Sequence, residues 1–198
     1  MFKSRKIENS QVIEMRTNFE LKLLEKAKLM EVKSPPTPWT NKVILSGAGI
    51  IAGGWDSQDK IFLISDSAYS INNPSTGEMI NIVYDVEIID NNLADDYLRF
   101  INPVTREVID IFGLNAGDGV HVSYDGWCLE VIYPWWPRAS VVINNVFQPG
   151  ASSREYLDYA YMIDTEQLDG WIKCGFSKSG NHFAILGSGG AIIYSREI

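Results

Sequence analysis

The first forty residues carry a hydrophobic pattern that differs from that of the rest of the chain. From Ser10 to Lys33, apolar residues recur every three or four positions, which is the spacing of an amphipathic α-helix. Asn9 or Ser10 is suited to cap the start, and the helix must end before Pro35, because proline disfavours the α conformation of the preceding residue. The stripe consists of Val12, Met15, Phe19, Leu23, Ala27 and Met30.

From Lys42 onward the pattern changes to short apolar runs separated by turn residues. Runs rich in β-branched and aromatic residues predict strands, and the Gly, Asn, Asp, Ser and Pro between them predict turns. A helical turn is expected near Asp90–Asp96, and no second long helix is predicted. The predicted strands are Val43–Ala52, Lys60–Ser65, Ala68–Ile71, Met79–Val83, Val86–Ile89, Leu98–Ile101, Val108–Phe112, Val120–Tyr124, Cys128–Tyr133, Ser140–Asn144, Tyr156–Met162, Trp171–Gly175, His182–Leu186 and Ala191–Tyr194.

This order of elements predicts a mainly β fold behind one N-terminal amphipathic α-helix. The strands would form an antiparallel meander, arranged as a sandwich or as a small propeller-like assembly of sheets. Three segments follow: a helical segment at 1–34, a proline-rich connector at 35–41, and an antiparallel β domain at 42–198. The chain shows no signal-peptide pattern and no apolar run long enough to span a bilayer, so we expect a cytoplasmic protein.

Two kinds of internal repeat interrupt the β pattern. Residues 73–80 and 102–109 share the pattern Asn-Pro-x-Thr-x-Glu-x-Ile, in which asparagine and proline favour a turn between two hairpin strands. Residues 55–64, 122–131 and 176–185 each run from an apolar residue through a polar turn into an apolar strand. The Phe176-Ser-Lys-Ser-Gly segment and the Asn73 turn resemble turns of β-propeller blades, and this resemblance implies a meander topology.

No stretch of the sequence matches a known catalytic or cofactor motif. His121 and His182 are the two histidines, and neither accompanies a nucleophile motif such as Gly-x-Ser-x-Gly. The glycine-rich segments 47–54 and 187–190 lack the Lys-Ser/Thr pair and the helix that follow a phosphate-binding loop. Two cysteines are too few for a disulfide framework or a zinc cluster. We therefore predict no catalytic residue, no cofactor and no metal.

Charge is distributed unevenly along the chain. The net charge is −8, and residues 1–34 hold eight Lys/Arg against five Asp/Glu, so the remainder carries −11. An acidic body of this kind repels nucleic-acid phosphates and attracts a basic protein surface. Its densest carboxylates are predicted to bind a basic protein partner, with a merely solvated acidic edge as the alternative; they are Asp85, Glu87, Asp90, Asp95 and Asp96.

The stretch that ends at Arg138 is unusually aromatic. Trp135 and Trp136 are adjacent, so on an extended chain they point to opposite faces, and the flanking prolines exclude a central strand. Exposed tryptophan and arginine are common at interface hot spots. We therefore predict that Trp135, Trp136 and Arg138 anchor the partner. The alternative is a hydrophobic plug that folds over the core.

In size, acidity and lack of catalytic motifs, the chain is similar to bacterial immunity proteins, which cap a toxin domain. This profile implies a non-enzymatic binding protein, an immunity protein or antitoxin that neutralises a basic toxin domain. Two alternatives stay open. One is a structural component of a phage or secretion apparatus, with the helix as a homo-oligomerisation arm. The other is a carbohydrate-binding module or an enzyme that uses the acidic edge and the tryptophan loop.

Overall fold

The computed structural model of the protein describes residues 16–115, 117–149, 156–165 and 168–197. The helices are α1 (Asn18–Leu29) and α2 (Val86–Asn92), and a short 3-10 helix covers Tyr156–Tyr159. The strands are β1 (Asn41–Ser46), β2 (Ile50–Trp55), β3 (Ile61–Ser65), β4 (Tyr69–Asn72), β5 (Met79–Val83), β6 (Arg99–Ile101), β7 (Val108–Gly113), β8 (Trp127–Trp135), β9 (Arg138–Asn145), β10 (Tyr161–Ile163), β11 (Lys173–Phe176), β12 (His182–Gly187) and β13 (Gly190–Ser195).

These strands form three sheets in which neighbouring strands are antiparallel. The six-stranded sheet has the order β5-β4-β3-β2-β7-β6, and the three-stranded sheet has the order β10-β9-β8. The four-stranded sheet has the order β1-β13-β12-β11, so the first strand pairs with the last. The prediction of a mainly β, antiparallel fold with an N-terminal helix is therefore confirmed.

The four-stranded sheet lies between the other two sheets. On β12, Phe183 and Ile185 pack with the three-stranded sheet, whereas Ala184 and Leu186 pack with the six-stranded sheet. Side chains alternate between the faces of a strand, so a strand covered on both faces must be apolar at nearly every position. That requirement explains the continuous apolar runs of β12 and β13.

Trp39 occupies the core between the three-stranded and four-stranded sheets. The side chain is 0% exposed, and its ring contacts the rings of Trp127, Phe176 and Phe183 at centroid distances of 6.1, 5.5 and 5.1 Å. Such tilted and edge-on contacts add to the free energy that burial of the large indole provides. The segment predicted as a connector thus supplies one of the largest fully buried side chains of the described chain.

Helix α2 covers the outer face of the six-stranded sheet, where a strand at Val86–Ile89 was predicted. That prediction is wrong. Asp85 caps the helix by accepting a hydrogen bond from the Ile88 amide at 3.1 Å, and Ile89 is buried in the cluster that includes Phe100. The helical turn expected at Asp90–Asp96 lies partly within α2, which ends at Asn92. A capped N-terminus and one buried face are therefore enough to override the β-branched composition.

Within the described residues, the N-terminal helix is shorter than predicted. It begins at Asn18, because Thr17 and Glu20 form a capping box, and it ends at Leu29 rather than at Lys33. The predicted caps at Asn9 and Ser10, with Val12 and Met15 of the stripe, lie outside the described residues. Beyond α1 the chain is extended, and the Lys33 amide donates a hydrogen bond to the Met162 carbonyl at 2.8 Å.

The rest of the predicted apolar stripe contacts the body unevenly. Ala27 is buried, Leu23 and Met30 are half-buried, and Phe19 is 41% exposed. Lys26 forms an ion pair with Asp158 next to the 3-10 helix. Helix α1 therefore docks on its own chain through its C-terminal half, and oligomerisation through the helix stays a prediction.

Three predicted strands differ in the structure. Val43–Ala52 is divided into β1 and β2, because the intervening loop turns through Gly49 at a φ of +64°. Val120–Tyr124 makes only isolated bridges, from Val120 to Phe176 and from Val122 to Cys128. Tyr156–Met162 begins as a 3-10 helix and becomes strand β10 only at Tyr161.

The Asn-Pro-x-Thr-x-Glu repeats form two matching hairpin turns, as predicted. The Asn73 side chain accepts hydrogen bonds from the amides of the residues two and three positions later, at 2.9 and 3.3 Å. Asn102 makes the same two contacts at 3.0 and 3.3 Å. The first turn joins β4 to β5 and the second joins β6 to β7. The asparagine therefore fixes each turn through its own side chain.

The three polar turns of the second repeat also share one design. The side chains of Asp56, Ser123 and Ser177 each accept a hydrogen bond from the backbone amide that begins the returning segment, at 2.7, 3.0 and 3.3 Å. Each turn leads into a different sheet: β3, β8 and β12. The first and third turns are joined by a hydrogen bond from Ser179 to Asp59.

Arg196 ties the second and third turns together near the C-terminus. Its guanidinium contacts both carboxylate oxygens of Asp125 at 2.7 and 2.8 Å, and its Nε donates to the Gly180 carbonyl at 2.7 Å. The same group lies 4.4 Å from the Trp39 ring centroid. Burial raises the pKa of Asp125, but hydrogen bonds from Arg196 and Ser123 outweigh it and leave this pKa below its usual value.

Candidate functional site

The five predicted partner-binding carboxylates lie on α2 and on the loop that follows it. Asp85 caps α2, and Asp96 accepts hydrogen bonds from the Leu98 amide at 3.0 Å and from Arg99 at 2.7 Å. Both contacts lower the pKa of Asp96, and the hydrogen bond from the Leu98 amide has the larger effect. Two of the five carboxylates therefore serve the local fold.

The other three carboxylates are exposed. Glu87, Asp90 and Asp95 make no hydrogen bond or ion pair with any residue that the structure describes. Glu87 and Asp90 are exposed positions of α2, whose Ile89 is buried, and Asp95 lies in the following loop. Their charge is thus available to a partner in solvent.

Exposed apolar side chains accompany these carboxylates, and the sequence prediction did not include them. Tyr84 is 77% exposed and Tyr97 is 50% exposed. Val86 and Leu98 belong to the same segment and are 50% and 46% exposed. Tyr97 also adopts a φ of +56°, which a bulky side chain rarely takes and which costs on the order of 1 kcal/mol or more. We call the exposed face of residues 84–98 the α2 surface.

The β8–β9 hairpin carries the predicted aromatic anchors. Trp135 is 59% exposed and Trp136 is 76% exposed, so neither serves as a plug over the core. The Lys28 ammonium of α1 lies 5.1 Å from the Trp135 ring, and Tyr133 packs against Trp136 at 5.2 Å. Arg138 is exposed and begins β9. Both tryptophans therefore lie at the surface of the described chain.

The structure does not bring the two groups of predicted residues together. The hairpin belongs to the three-stranded sheet, whereas the α2 surface covers the outer face of the six-stranded sheet. The four-stranded and six-stranded sheets therefore lie between them. Because these sheets separate the two groups, the anchors that we propose for the carboxylates of α2 come from residues 84–98, and the anchoring role of Trp135 and Trp136 stays a prediction.

A cavity of about 320 Å³ opens beside the hairpin, and we call it the hairpin pocket. It lies where the edge strand β8 approaches β11, and the segment with the Val120 and Val122 bridges spans this gap. Neither the pocket nor most of its residues were predicted. Its lining residues are Asp118, His121, Glu130, Val131, Tyr133, Ile172 and Lys173.

The charged groups of the hairpin pocket are not equally matched. Lys173 forms an ion pair with Asp118 and thereby holds the pKa of that carboxyl below its usual value. Glu130 accepts a hydrogen bond from Tyr156 and makes no ion pair with any residue in the described ranges. Burial, followed by the negative charge of Glu130, raises the pKa of Tyr156 to about 12 and also raises the pKa of Cys128. The pocket is therefore electronegative around Glu130.

His121 lines this pocket, but its Nε2 atom is not exposed to it. That nitrogen is buried and finds no hydrogen-bond partner among the described residues. A buried polar atom left in this way costs about 1–3 kcal/mol. The His121 carbonyl accepts a hydrogen bond from the Leu129 amide at 2.9 Å, which fixes the backbone that carries the ring.

The other histidine forms a pair that resembles a nucleophile and its base. His182 Nδ1 lies 2.7 Å from the Ser195 hydroxyl oxygen, and the His182 ring stacks on Trp55. However, Ser195 is only 1% exposed, so a substrate cannot reach this hydroxyl. Burial lowers the pKa of His182 and keeps the ring neutral. We therefore assign this pair to the fold rather than to catalysis.

Among the described residues, no three His, Cys, Asp or Glu side chains lie close enough together to hold a metal ion. Neither described helix has the length and hydrophobicity that a membrane span requires. The chain matches no protein-family model, no curated protein and no solved structure. The geometry of the two candidate sites is thus the basis for a functional proposal.

Proposed function

We propose that the protein is a non-enzymatic binding protein that recognises a basic protein partner through the α2 surface. One observation carries this proposal. Along residues 84–98, three exposed carboxylates that have no hydrogen-bond or ion-pair partner among the described residues lie between two pairs of exposed apolar side chains. Such a surface joins charge, which attracts a basic partner, to side chains that gain free energy when an interface buries them.

The two kinds of group would serve different steps of binding. Glu87, Asp90 and Asp95 would accelerate encounter, because exposed interface charges mainly change the association rate. Tyr84 and Tyr97 would slow dissociation, because tyrosine is among the residues that most often act as hot spots. They take the role that the sequence prediction gave to Trp135 and Trp136.

The most concrete form of this proposal is an immunity protein or antitoxin that caps a basic toxin domain. The balance of −11 after residue 34 supports it, since a strongly acidic inhibitor is complementary to a basic target over its whole surface. In this form the protein needs no chemistry of its own. The partner would be blocked by contact alone.

The test begins with capture of a partner by the full chain from a lysate of the native host, followed by binding kinetics with the purified partner. Reversal of Glu87, Asp90 and Asp95 to lysine should slow association at least about tenfold at low salt. Tyr84→Ala should instead speed dissociation, at a cost of about 2 kcal/mol.

A matched control separates the α2 surface from net charge. Asp66, Glu78 and Glu197 are exposed carboxylates elsewhere on the body, and their reversal to lysine changes the net charge by the same amount. The control variant should slow association by less than half as much as the variant of the α2 surface does. An equal loss in both variants, or a partner that is acidic, would reject the α2 surface as the interface.

A further inference from the structure

We propose that the hairpin pocket is a second binding site and that it takes a guanidinium group. The site is independent of the α2 surface, because β8, β11 and the segments beside them supply its lining, whereas α2 packs on the outer face of the six-stranded sheet. Its volume of about 320 Å³ falls at the lower end of the range for small-molecule sites. Such a cavity suits one cationic side chain or one small amine better than a large ligand.

Charge gives the first reason for a cation. Lys173 and Asp118 neutralise each other across the pocket, which leaves Glu130 as the lining charge without an ion-pair partner among the described residues. Burial, followed by the field of the Glu130 carboxylate, raises the pKa of the neighbouring Tyr156 and Cys128. An anionic ligand would meet this field, whereas a cation would complete a charge-assisted pair with Glu130.

The aromatic rings give the second reason. Tyr133 forms part of the pocket wall, and the Trp136 ring lies 5.2 Å from it. Trp136 is not part of the lining, so the Tyr133 ring is the aromatic face that a ligand would meet. A planar cation gains from contact with the face of tryptophan or tyrosine, and arginine makes such contacts more often than lysine does.

The hydrogen-bonding groups of the pocket favour guanidinium over ammonium. Guanidinium carries five N–H donors in a plane and no acceptor. The pocket lining offers two groups that suit such a plane: the Glu130 carboxylate, which can accept two N–H donors at once, and the face of the Tyr133 ring. One planar cation would therefore pair with the carboxylate and cover the ring, which a compact ammonium does less well.

A guanidinium group can come from a free metabolite or from an arginine side chain of a protein. Both would contact Glu130 and Tyr133 in the same way. The free compound carries an additional charged or polar end, whereas the side chain continues into an uncharged backbone. Separate probes can therefore distinguish the two sources.

The experiment titrates the full-length protein with agmatine, free arginine and arginine blocked at both termini, while amide NMR shifts are recorded. Citrulline, which has the shape of arginine without its charge, is the matched negative control. We expect saturable shifts around Gly119–His121 and Ile172–Lys173, with no saturation by citrulline. Binding of the blocked form identifies a protein side chain as the source, and binding of only the free compounds identifies a small molecule.

Two variants test the named groups. Glu130→Gln keeps the shape of the side chain and should weaken agmatine binding at least about tenfold, because it removes the charged acceptor. Tyr133→Ala should weaken it about fivefold, because it removes the aromatic ring of the lining, whereas Trp135→Ala should not, since Trp135 is outside that lining. Unchanged melting temperatures would show that the variants fold.

Three results would overturn the proposal. The first is no saturable shift with any guanidinium compound at concentrations up to about 20 mM, far above a millimolar Kd. The second is an affinity that Glu130→Gln leaves unchanged. The third is saturation of the same amides by a neutral oligosaccharide but not by agmatine, which would make the pocket a carbohydrate site. None of these results depends on a partner for the α2 surface.

Discussion

The α2 surface and the hairpin pocket both combine carboxylates with aromatic rings, but they hold these groups in different ways. On the α2 surface, Glu87 and Asp90 extend into solvent from a short helix and form no hydrogen bond or ion pair with another described side chain. In the hairpin pocket, Glu130 is oriented by Tyr156 and lies near a second, already neutralised carboxylate. The carboxylates of the α2 surface attract a partner through solvent, whereas Glu130 pairs with a ligand only when that ligand enters the pocket.

The difference shows that the number of acidic and aromatic residues in a binding surface says little about what that surface recognises. A freely solvated carboxylate interacts with the summed charge of a partner, and salt weakens this interaction. A carboxylate held in a cavity selects by shape and by the number of donors that reach it. The same protein can therefore use one acidic composition for steering and for selection.

The largest expected effect concerns the core that supports both surfaces. Trp39→Ala should lower the free energy of unfolding by about 3–5 kcal/mol, because it leaves a large cavity between two sheets and removes three ring contacts. Trp136→Ala removes a ring that is 76% exposed, so it should change stability by about 0.5 kcal/mol or less. Urea unfolding followed by circular dichroism measures both. Equal losses would mean that Trp39 is not the packing centre described above.

The strand pattern and the turns could be predicted from sequence because their causes are local. In the Asn73 and Asn102 turns, the asparagine bonds to amides only two and three residues away. The continuous apolar runs of β12 and β13 follow from burial on both faces. These features depend on few distant residues, so the sequence pattern is sufficient.

Helix α2 and Trp39 could not be predicted in the same way. Val86-Glu87-Ile88-Ile89 has the composition of a strand, and it becomes helical because Asp85 caps it and the sheet beneath buries Ile89. Trp39 follows three prolines in a stretch of connector composition, and only the assembled sheets create the space that its ring fills. Both outcomes depend on tertiary contacts.

The candidate sites divide along the same line. The five carboxylates of residues 85–96 were predicted because they are dense in sequence, and Tyr84 and Tyr97 could have been added as aromatic neighbours of that run. The hairpin pocket assembles Asp118, Glu130 and Lys173 from three separate segments. Pairing of distant strands brings these side chains together, and no spacing along the chain reveals it.

Salt provides an intermediate test of the comparison. Between about 50 and 500 mM NaCl, association through the α2 surface should slow at least about tenfold, because the Debye length falls from roughly 14 to 4 Å. The affinity of the hairpin pocket for agmatine should fall only about threefold, since its charges meet at contact distance. Stopped-flow kinetics and NMR titration measure the two quantities. A similar slope for both would show that the pocket, too, acts only through screened charge.

The smallest expected effect is on stability, and it distinguishes the hydrogen-bonded carboxylate of Asp125 from the solvated carboxylate of Glu87. The folded-state pKa of Asp125 lies below its unfolded value: burial raises it, but Arg196 and Ser123 lower it further. Asp125 therefore stabilises the fold above the unfolded pKa of about 3.9, and this contribution is lost as the pH falls through the lower folded value. Asp125→Asn should cost about 1 kcal/mol at pH 7 and nearly nothing near pH 2.

Glu87→Gln is the matched control, because it removes one carboxylate that makes no contact with the described chain. The stability of Glu87→Gln should equal that of the unmodified protein at every pH. The stability of Asp125→Asn should be lower at neutral pH and should approach that of the unmodified protein only in acid. Urea midpoints at intervals between about pH 2 and pH 7 measure both, within the range in which carboxylates titrate. Parallel curves for Asp125→Asn and the unmodified protein would mean that Arg196 does not hold Asp125 in the charged form. The Arg196 contact between the second and third turns would then contribute packing on Trp39 alone.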